Sequence, residues 1–461
     1  MKRIVILVFM AILPAILAAD ETREFEYRSK TKPSQRIELK GLSGSRLVFT
    51  SWDLNEVYVK ISIRISSSDD EYEKEYVESF GIREYNSESE LILEFQEPGR
   101  VRFGIWDLFK GGSYVRKELY GEVFLPKANS LTTDLSYGEI TADDLAGEVN
   151  ILGKHNLLVL KNCKNIRQVT NEYGQTRISG SGGSLNLSGT SSQISVTGFG
   201  GPAVIEAPYS TITATEIGKS VSVNSQSGAV IVSGIGGSAS INAPYSNITA
   251  SNVKGVLDVS TKSGSLRVKD VEGLAIEAPY STIEAIGVTG TTGRDIIISG
   301  QSGSIHLENA RGNLVLDCPY SPVHLLRIDG SVELSAKSAD VEARDVSGNW
   351  NSRTEYSKVR LRELMSKDVG ITNKSGTVDM ELSVVPVSIK IRNEYAGVSV
   401  NLPKGFSGEI VLDAEYGRVE TDFPIRNVRR GSSGYAVGTV GSGTGSITIE
   451  TKSGDIELLQ K

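Results

Sequence analysis

The chain predicts an all-β fold: a single-stranded, right-handed β-solenoid (β-helix) of about 18 residues per coil. A small, mainly antiparallel β module with one short helix precedes it. Three observations predict this. First, a Pro-Tyr-Ser phrase recurs at Pro208, Pro244, Pro279 and Pro319, with a Ser-Gly phrase midway at Ser227, Ser263, Ser302 and Ser375. Second, aligning each Tyr with the midway Ser gives the series Tyr137, His155, Tyr173, Ser191, Tyr209, Ser227, Tyr245 and Ser263, in which every step is 18 residues. Small insertions follow, and the series continues through Tyr280, Ser302, Tyr320, Ser338, Tyr356, Ser375 and Tyr395. Third, apolar residues fall at fixed offsets from this register: three after (Ile212, Val230, Ile248), five after (Ala214, Val232, Ala250) and eight after (Ile217, Ile235, Val253).

Apolar positions two apart, in short runs, are strands with one buried face. A glycine column ten after the register, including Gly201, Gly237, Gly255 and Gly330, permits corners that a Cβ would obstruct. One such unit cannot bury its own apolar face, whereas stacked copies bury a continuous core. The twist preference of L-residues selects the right-handed form. Left-handed hexapeptide helices need one aliphatic every six residues, and the alternation here does not fit them. Calcium-binding β-rolls need a recurring aspartate, which is missing, and a propeller needs four strands per blade.

From the N-terminus, the segments are 1–19, 20–128 and 129–461. Segment 1–19 reads as a signal peptide: Lys2 and Arg3 precede an apolar run from Ile4 to Leu17, and Ala18-Ala19 offers a cleavage site. The alternative is an uncleaved anchor, for which the run is short. Segment 20–128 lacks the repeat and reads as a capping module. Val57 to Ile65 alternate as a half-buried strand, Glu71 to Phe80 form a helix with an acidic first turn, and further strands carry Leu91 to Phe95, Val101 to Ile105, and Val123 with Leu125. The acidic residues Asp69 to Glu78 read as a solvated helix face rather than a cation site. Segment 129–461 is the solenoid repeat domain. Its far end closes on Ile447 to Leu458, and the glycine-rich stretch from Gly431 to Gly445 crosses or covers the top of the rod.

Composition excludes several functions. A net charge of −7 with interspersed signs does not suit a nucleic-acid partner. Two cysteines do not make a disulfide framework. Cys163 and Cys318 both fall in inward columns about 40 Å apart at the strand spacing, far beyond the ~7 Å Cα separation a bridge tolerates. They are expected to be buried free thiols. His306 and His324, one coil apart, read as neighbouring outward residues, with no dense acid cluster to make a metal site. Asp340 with Glu342, or Glu308 with Asp317, can be cast as general acid and base. Exposed strand acids are the simpler explanation. No catalytic, cofactor-binding or metal-ligating set is assigned.

The candidate contact stripe is Tyr209, Tyr245, Tyr280 and Tyr320. Tyrosines on every second coil stand ~9.6 Å apart at twice the strand spacing, too far for mutual stacking. They either offer an aromatic stripe to sugars or a protein, or cap a corner of the core. A repeat kept for packing repeats every residue at its corner, which favours the capping reading.

The phrases from Lys262 to Val268 and from Lys452 to Leu458 resemble those of the putative-adhesin β-strand-repeat family of exported prokaryotic domains, as do Trp52-Asp53 with the following strand and Val123 to Pro126 before the first coil. The resemblance implies a non-catalytic surface protein and supplies no catalytic residues. The expected function is therefore that of an exported solenoid in cell-surface adhesion or envelope structure. It would be located at the cell surface, in the periplasm or outside the cell, and its partner would be a surface protein or glycan. An uncapped far edge would add end-to-end self-association. The alternatives are a carbohydrate-active enzyme, lyase or hydrolase, on the same fold, and a periplasmic scaffold for a membrane partner.

Overall fold

The computed structural model describes residues 21–67, 70–97, 115–290 and 293–461. The expected signal peptide, Asp69, the strand at 101–105 and the insertion at 291–292 lie outside the described residues. The fold is a β-solenoid of two facing sheets, one of which carries 21 strands among the described residues. Each coil supplies a short strand to one sheet, turns at the register residue, and supplies a longer strand to the other. Val221–Asn224 and Ser227–Ile235 make one such coil. Through the repeat, like strands pair in parallel with the coils before and after, as Ile212 pairs with Val230 and Val230 with Ile248.

The core lies between the sheets. Residues three, five and eight after the register are buried: Ile212, Ala214 and Ile217 in one coil, Val230, Val232 and Ile235 in the next. Strict alternation would place the residue seven after the register inside, not the eighth. The shift is made by a bulge in which the seventh residue takes the left-handed conformation. Asp144, Asn162, Gly180, Gly198, Glu216, Gly234, Asn252 and Asp270 all lie there, with φ between 53° and 67°. This conformation costs most L-residues ~1–2 kcal/mol and is tolerated best by Gly, Asn and Asp, which dominate the column. The glycines ten after the register serve a different need. At Gly201, a Cβ would sit 1.8 Å from the Gly183 carbonyl oxygen of the coil below, and at Gly330 it would sit 2.1 Å from that of Gly312. Neither has a positive φ, so what excludes a side chain there is the closeness of the layers.

The antiparallel module at the N-terminus is built onto both sheets. Glu21–Lys30 pairs antiparallel with Glu56–Ser67, which pairs antiparallel with Val115–Pro126. Val115–Pro126 runs parallel to Ser45–Trp52, which runs parallel to Glu139–Asp143. On the other sheet, Gly81–Asn86 covers Glu90–Gln96 antiparallel, and Glu90–Gln96 runs parallel to Arg36–Ser43. The first coil, 36–52, thus lies beneath the strands Glu90–Gln96 and Val115–Pro126. The outermost strand, Glu21–Lys30, alternates charged residues along its edge, which opposes pairing with another chain.

The helix Asp70–Ser79 buries Tyr76 and Val77, and Phe80 beyond its end meets Phe25 edge-on at 5.3 Å. Glu71, Glu75 and Glu78 are exposed, as a solvated face requires. Glu73 departs from that expectation. It is buried, and its carboxylate accepts the backbone N–H of Ser67 ahead of the helix.

The C-terminal end is threaded. The chain forms the coil of Gly408–Ala414 and Val419–Thr421, then an antiparallel hairpin of Arg426–Arg430 and Ser433–Val440 that covers Gly408–Ala414. It then turns back. Gly445–Thr451 enters between Ser388–Asn393 and Gly408–Ala414, parallel to both. Ile456–Gln460 enters the other sheet between Val398–Leu402 and Val419–Thr421, again parallel to both. The last residues of the chain are therefore the penultimate layer of the rod. Ile447, Ile449, Ile456 and Leu458 are fully buried there.

Candidate functional site

The register residues form a column on one edge of the rod, where the short strand hands over to the long one. From Tyr245 onward, each register amide donates to the carbonyl preceding the register residue one layer back. Tyr245 bonds to Gln226, Ser263 to Pro244, Tyr280 to Lys262, Ser302 to Pro279 and Tyr320 to Gln301, at 2.6–3.0 Å. The pattern continues through the threaded coil: Tyr395 bonds to Lys374, Ser453 to Glu394, and Tyr416 to Lys452. Tyr395 and Tyr416 fall in consecutive coils along the sequence, yet the inserted Ser453 separates them in space. Tyrosine therefore occupies every second layer from Tyr137 to Tyr416.

All nine of these tyrosines are exposed, from 46% at Tyr320 to 60% at Tyr416. The expectation that they cap the core does not hold. The reason is parity. The residues one, three and five after the register point inward, so the register residue points out. The buried member of the Pro-Tyr-Ser phrase is its serine: Ser210, Ser246, Ser281 and Ser321 are each about 2% exposed or less. Ser210 Oγ donates to the Pro208 carbonyl and accepts the Ser192 amide. The midway glycine packs on that same serine. A Cβ on Gly228 (φ 141°) would lie 2.2 Å from the Ser210 carbonyl oxygen, and Gly264 repeats this over Ser246. The tyrosine coil and the Ser-Gly coil are thus two halves of one interlocking corner.

The corner changes form along the rod. Tyr137, His155, Tyr173, Ser191 and Tyr209 are themselves left-handed, with φ of 50–62°. From Ser227 on, the following glycine carries the positive φ wherever a Ser-Gly coil occurs, as at Gly228, Gly264 and Gly303. In the first part, His155 fills the gap between two tyrosines. Its ring stacks on Tyr137 at 4.7 Å and on Tyr173 at 5.2 Å, giving an exposed three-ring pile. Near the other end, ammonium groups fill the same gap, with Lys374 over Tyr356 at 5.6 Å and Lys452 over Tyr395 at 6.0 Å. Contact with the Tyr356 hydroxyl raises the Lys374 pKa. Gln226, Lys262, Gln301 and Lys337 occupy equivalent exposed positions between the tyrosines from Tyr209 to Tyr356. Beside the column lies a shallow groove of about 510 Å³, lined by Glu206, Asn224, Gln226, Asn242, Tyr245 and Lys262.

The other candidate residues do not converge. His306 and His324 are paired in adjacent strands, as expected, and each lies within 3.6 Å of a different carboxylate, Glu308 and Glu342. Glu308 also pairs with Arg327, and Glu342 with Arg360. Asp340 accepts the Lys358 amide. Glu308 and Asp317 sit on opposite sheets, so the rod stands between them. Among the described residues, no group of three or more His, Cys, Asp or Glu side chains is placed to hold a metal ion. Cys163 and Cys318 are free and buried, as their columns required. Burial pushes the Cys163 thiol up to about 11 and the Cys318 thiol up to about 12, so both are protonated and unreactive at neutral pH.

The family model described as Toastrack DUF4097 matches residues 164–459, more than half of the chain. The chain belongs to the Toastrack DUF4097 family. This bears out the resemblance carried by the Lys-Ser-Gly phrases. The Toastrack match spans eight of the nine register tyrosines, leaving Tyr137 and the N-terminal module ahead of it. Among solved structures, the chain is similar to a putative cell adhesion protein from Clostridium sporogenes ATCC 15579, at 10% identity over 96% of this chain and 100% of that one, with a TM-score of 0.17. No curated protein matches the chain.

Proposed function

We propose that this Toastrack chain is an exported, non-catalytic solenoid acting in cell-surface adhesion or envelope structure, with the tyrosine ladder as its contact face. The observation that carries the reading is the ladder itself: nine half-exposed tyrosines on every second layer along one edge. Exposed aromatic rings aligned in this way mark a surface that meets a partner. The threaded coil, which preserves the alternation between Tyr395 and Tyr416, supports the same reading. Export is supported by the charged, apolar and small-residue sequence of segment 1–19. The non-catalytic reading is supported by the pairing of Glu308 and Glu342 with Arg327 and Arg360 and by the placement of Glu308 and Asp317 on opposite sheets, where general acid–base chemistry needs two available groups converged on one bond. End-to-end association has a small edge to use at the C-terminal end, the three-residue strand Val419–Thr421.

The test is binding of the purified chain to cells, compared with a variant in which Tyr209, Tyr245, Tyr280 and Tyr320 are all Ala. Four rings at ~0.5 kcal/mol each amount to ~30-fold in affinity. Because the side chains are exposed, the thermal midpoint should hold. Unchanged binding by the variant would refute the ladder as the contact face.

A further inference from the structure

The ladder has a period as well as a chemistry, and the period restricts what can lie along it. Successive tyrosines are two layers apart, ~9.6 Å at the strand spacing, and nine of them span ~77 Å. A ligand that uses several rungs must repeat at the same distance. An extended strand repeats its side chains every ~6.6 Å on one face, and an α-helix turns every ~5.4 Å. Neither keeps step. A polyproline II helix turns every ~9.3 Å, and the disaccharide of an extended β-1,4-linked glycan has a comparable length.

The groups between the rungs decide between these two. Polyproline ligands dock in grooves walled by neighbouring aromatic rings, whereas from Tyr209 on, the rings alternate with single polar side chains. Those side chains are Gln226, Lys262, Gln301, Lys337, Lys374 and Lys452. Asn224 and Asn242 line the groove alongside. Amides both donate and accept, and ammonium groups donate. That set matches hydroxyls, which do both, better than it matches the acceptor-only carbonyls of a proline-rich chain. Sugar rings also present an apolar C–H face to an aromatic platform.

We propose that the ladder binds an extended β-1,4-linked polysaccharide, with one disaccharide per tyrosine. Alternate sugar rings lie on the tyrosines, and the hydroxyls of the intervening rings meet the Gln and Lys side chains. This rests on the reading of the ladder as the contact face. Engagement along successive rungs is intramolecular after the first, so affinity rises with ligand length.

The experiment is calorimetric titration of the full chain with cello-oligosaccharides and, separately, chito-oligosaccharides, from disaccharide to decasaccharide. Each added disaccharide should tighten binding by about two- to twelvefold, the range for one aromatic contact. The two series report whether the N-acetyl group is required. The Tyr209/Tyr245/Tyr280/Tyr320→Ala variant should lose about 5- to 160-fold on the decasaccharide, because the best five-rung stretch left to it, Tyr280 to Tyr416, keeps three of its rings. Tyr85→Ala, off the ladder, should match the parent. Thermal unfolding of both variants confirms that they are folded. No binding by either series, binding independent of length, or binding of a polyproline peptide in their place would overturn the proposal. Ladder-dependent cell binding without glycan binding would remove this inference alone, whereas ladder-independent cell binding would remove the contact face itself.

Discussion

Replacing Leu458 by Ala tests whether the C-terminal strand is a structural wedge. Leu458 is fully buried and lies in register between Val400 on one side and Thr421 on the other. Removing a buried leucine side chain costs ~2–5 kcal/mol, from lost transfer and from the cavity left behind. In a stacked repeat each layer contacts only its neighbours, so the loss should stay near the C-terminal end. It should loosen strand Ile456–Gln460 and, with it, the outer coil of Gly408–Ala414 and Val419–Thr421. A loss of ~2–5 kcal/mol speeds exchange through local opening by ~30- to ~5,000-fold. Amide hydrogen exchange followed by mass spectrometry reads this by segment. The expected result is fast exchange in 408–421 and 445–460, with the layers around Ile241 and Val259 unchanged. Loss of protection in 456–460 alone, with 408–421 still protected, would refute the wedge. Equal loss along the whole rod would refute the layer-by-layer account of stability.

Two further outcomes follow from the packing. Gly201→Ala places a Cβ against the Gly183 backbone carbonyl, and backbone in adjacent layers cannot move aside. The variant should lose ~3 kcal/mol or more, whereas Gly81→Ala, with nothing within 4 Å, should stay within ~0.5 kcal/mol in a thermal melt. The two thiols give a pH signature. Both folded pKa values, about 11 and about 12, lie above the ordinary 9.0. The unfolded chain therefore gives up its thiol protons first, so their contribution is intact below pH 9 and is lost as pH rises toward 12. Denaturant titrations of a Cys163→Ala/Cys318→Ala variant should lack that component. A thiol reagent at pH 8 should label neither cysteine in the folded chain and both after denaturation.

Much of this architecture was legible in the residues. The offsets of three, five and eight gave strands, core and coil length, and they placed Cys163 and Cys318 inside. The same offsets also held two facts that are easily passed over. An inward residue at eight after inward residues at three and five requires a bulge, and the Asn, Asp and Gly column from Asp144 to Asp270 marks where it falls. An odd separation between the register residue and Ile212 places Tyr209 outside. His155 stands in the register of the tyrosines, so its stack with Tyr137 and Tyr173 was within reach as well. The ends were less legible. Arg36–Ser43 and Ser45–Trp52 form a coil but stand outside the 18-residue spacing that marks the others, and Glu73 is one acid in a run of similar acids. The threading left a single trace. Tyr395 and Tyr416 break the alternation along the chain, and order in space could not be read from order in sequence.

The central claim is that the tyrosine ladder is the face that meets the partner. Tyrosine nitration, mapped by mass spectrometry on the chain free and bound to its target cells, tests it directly. The nine tyrosines from Tyr137 to Tyr416 should be nitrated when free and protected together when bound, while Tyr85, 59% exposed and off the ladder, should react equally in both states. Equal nitration of the ladder tyrosines in the free and bound chain would contradict it.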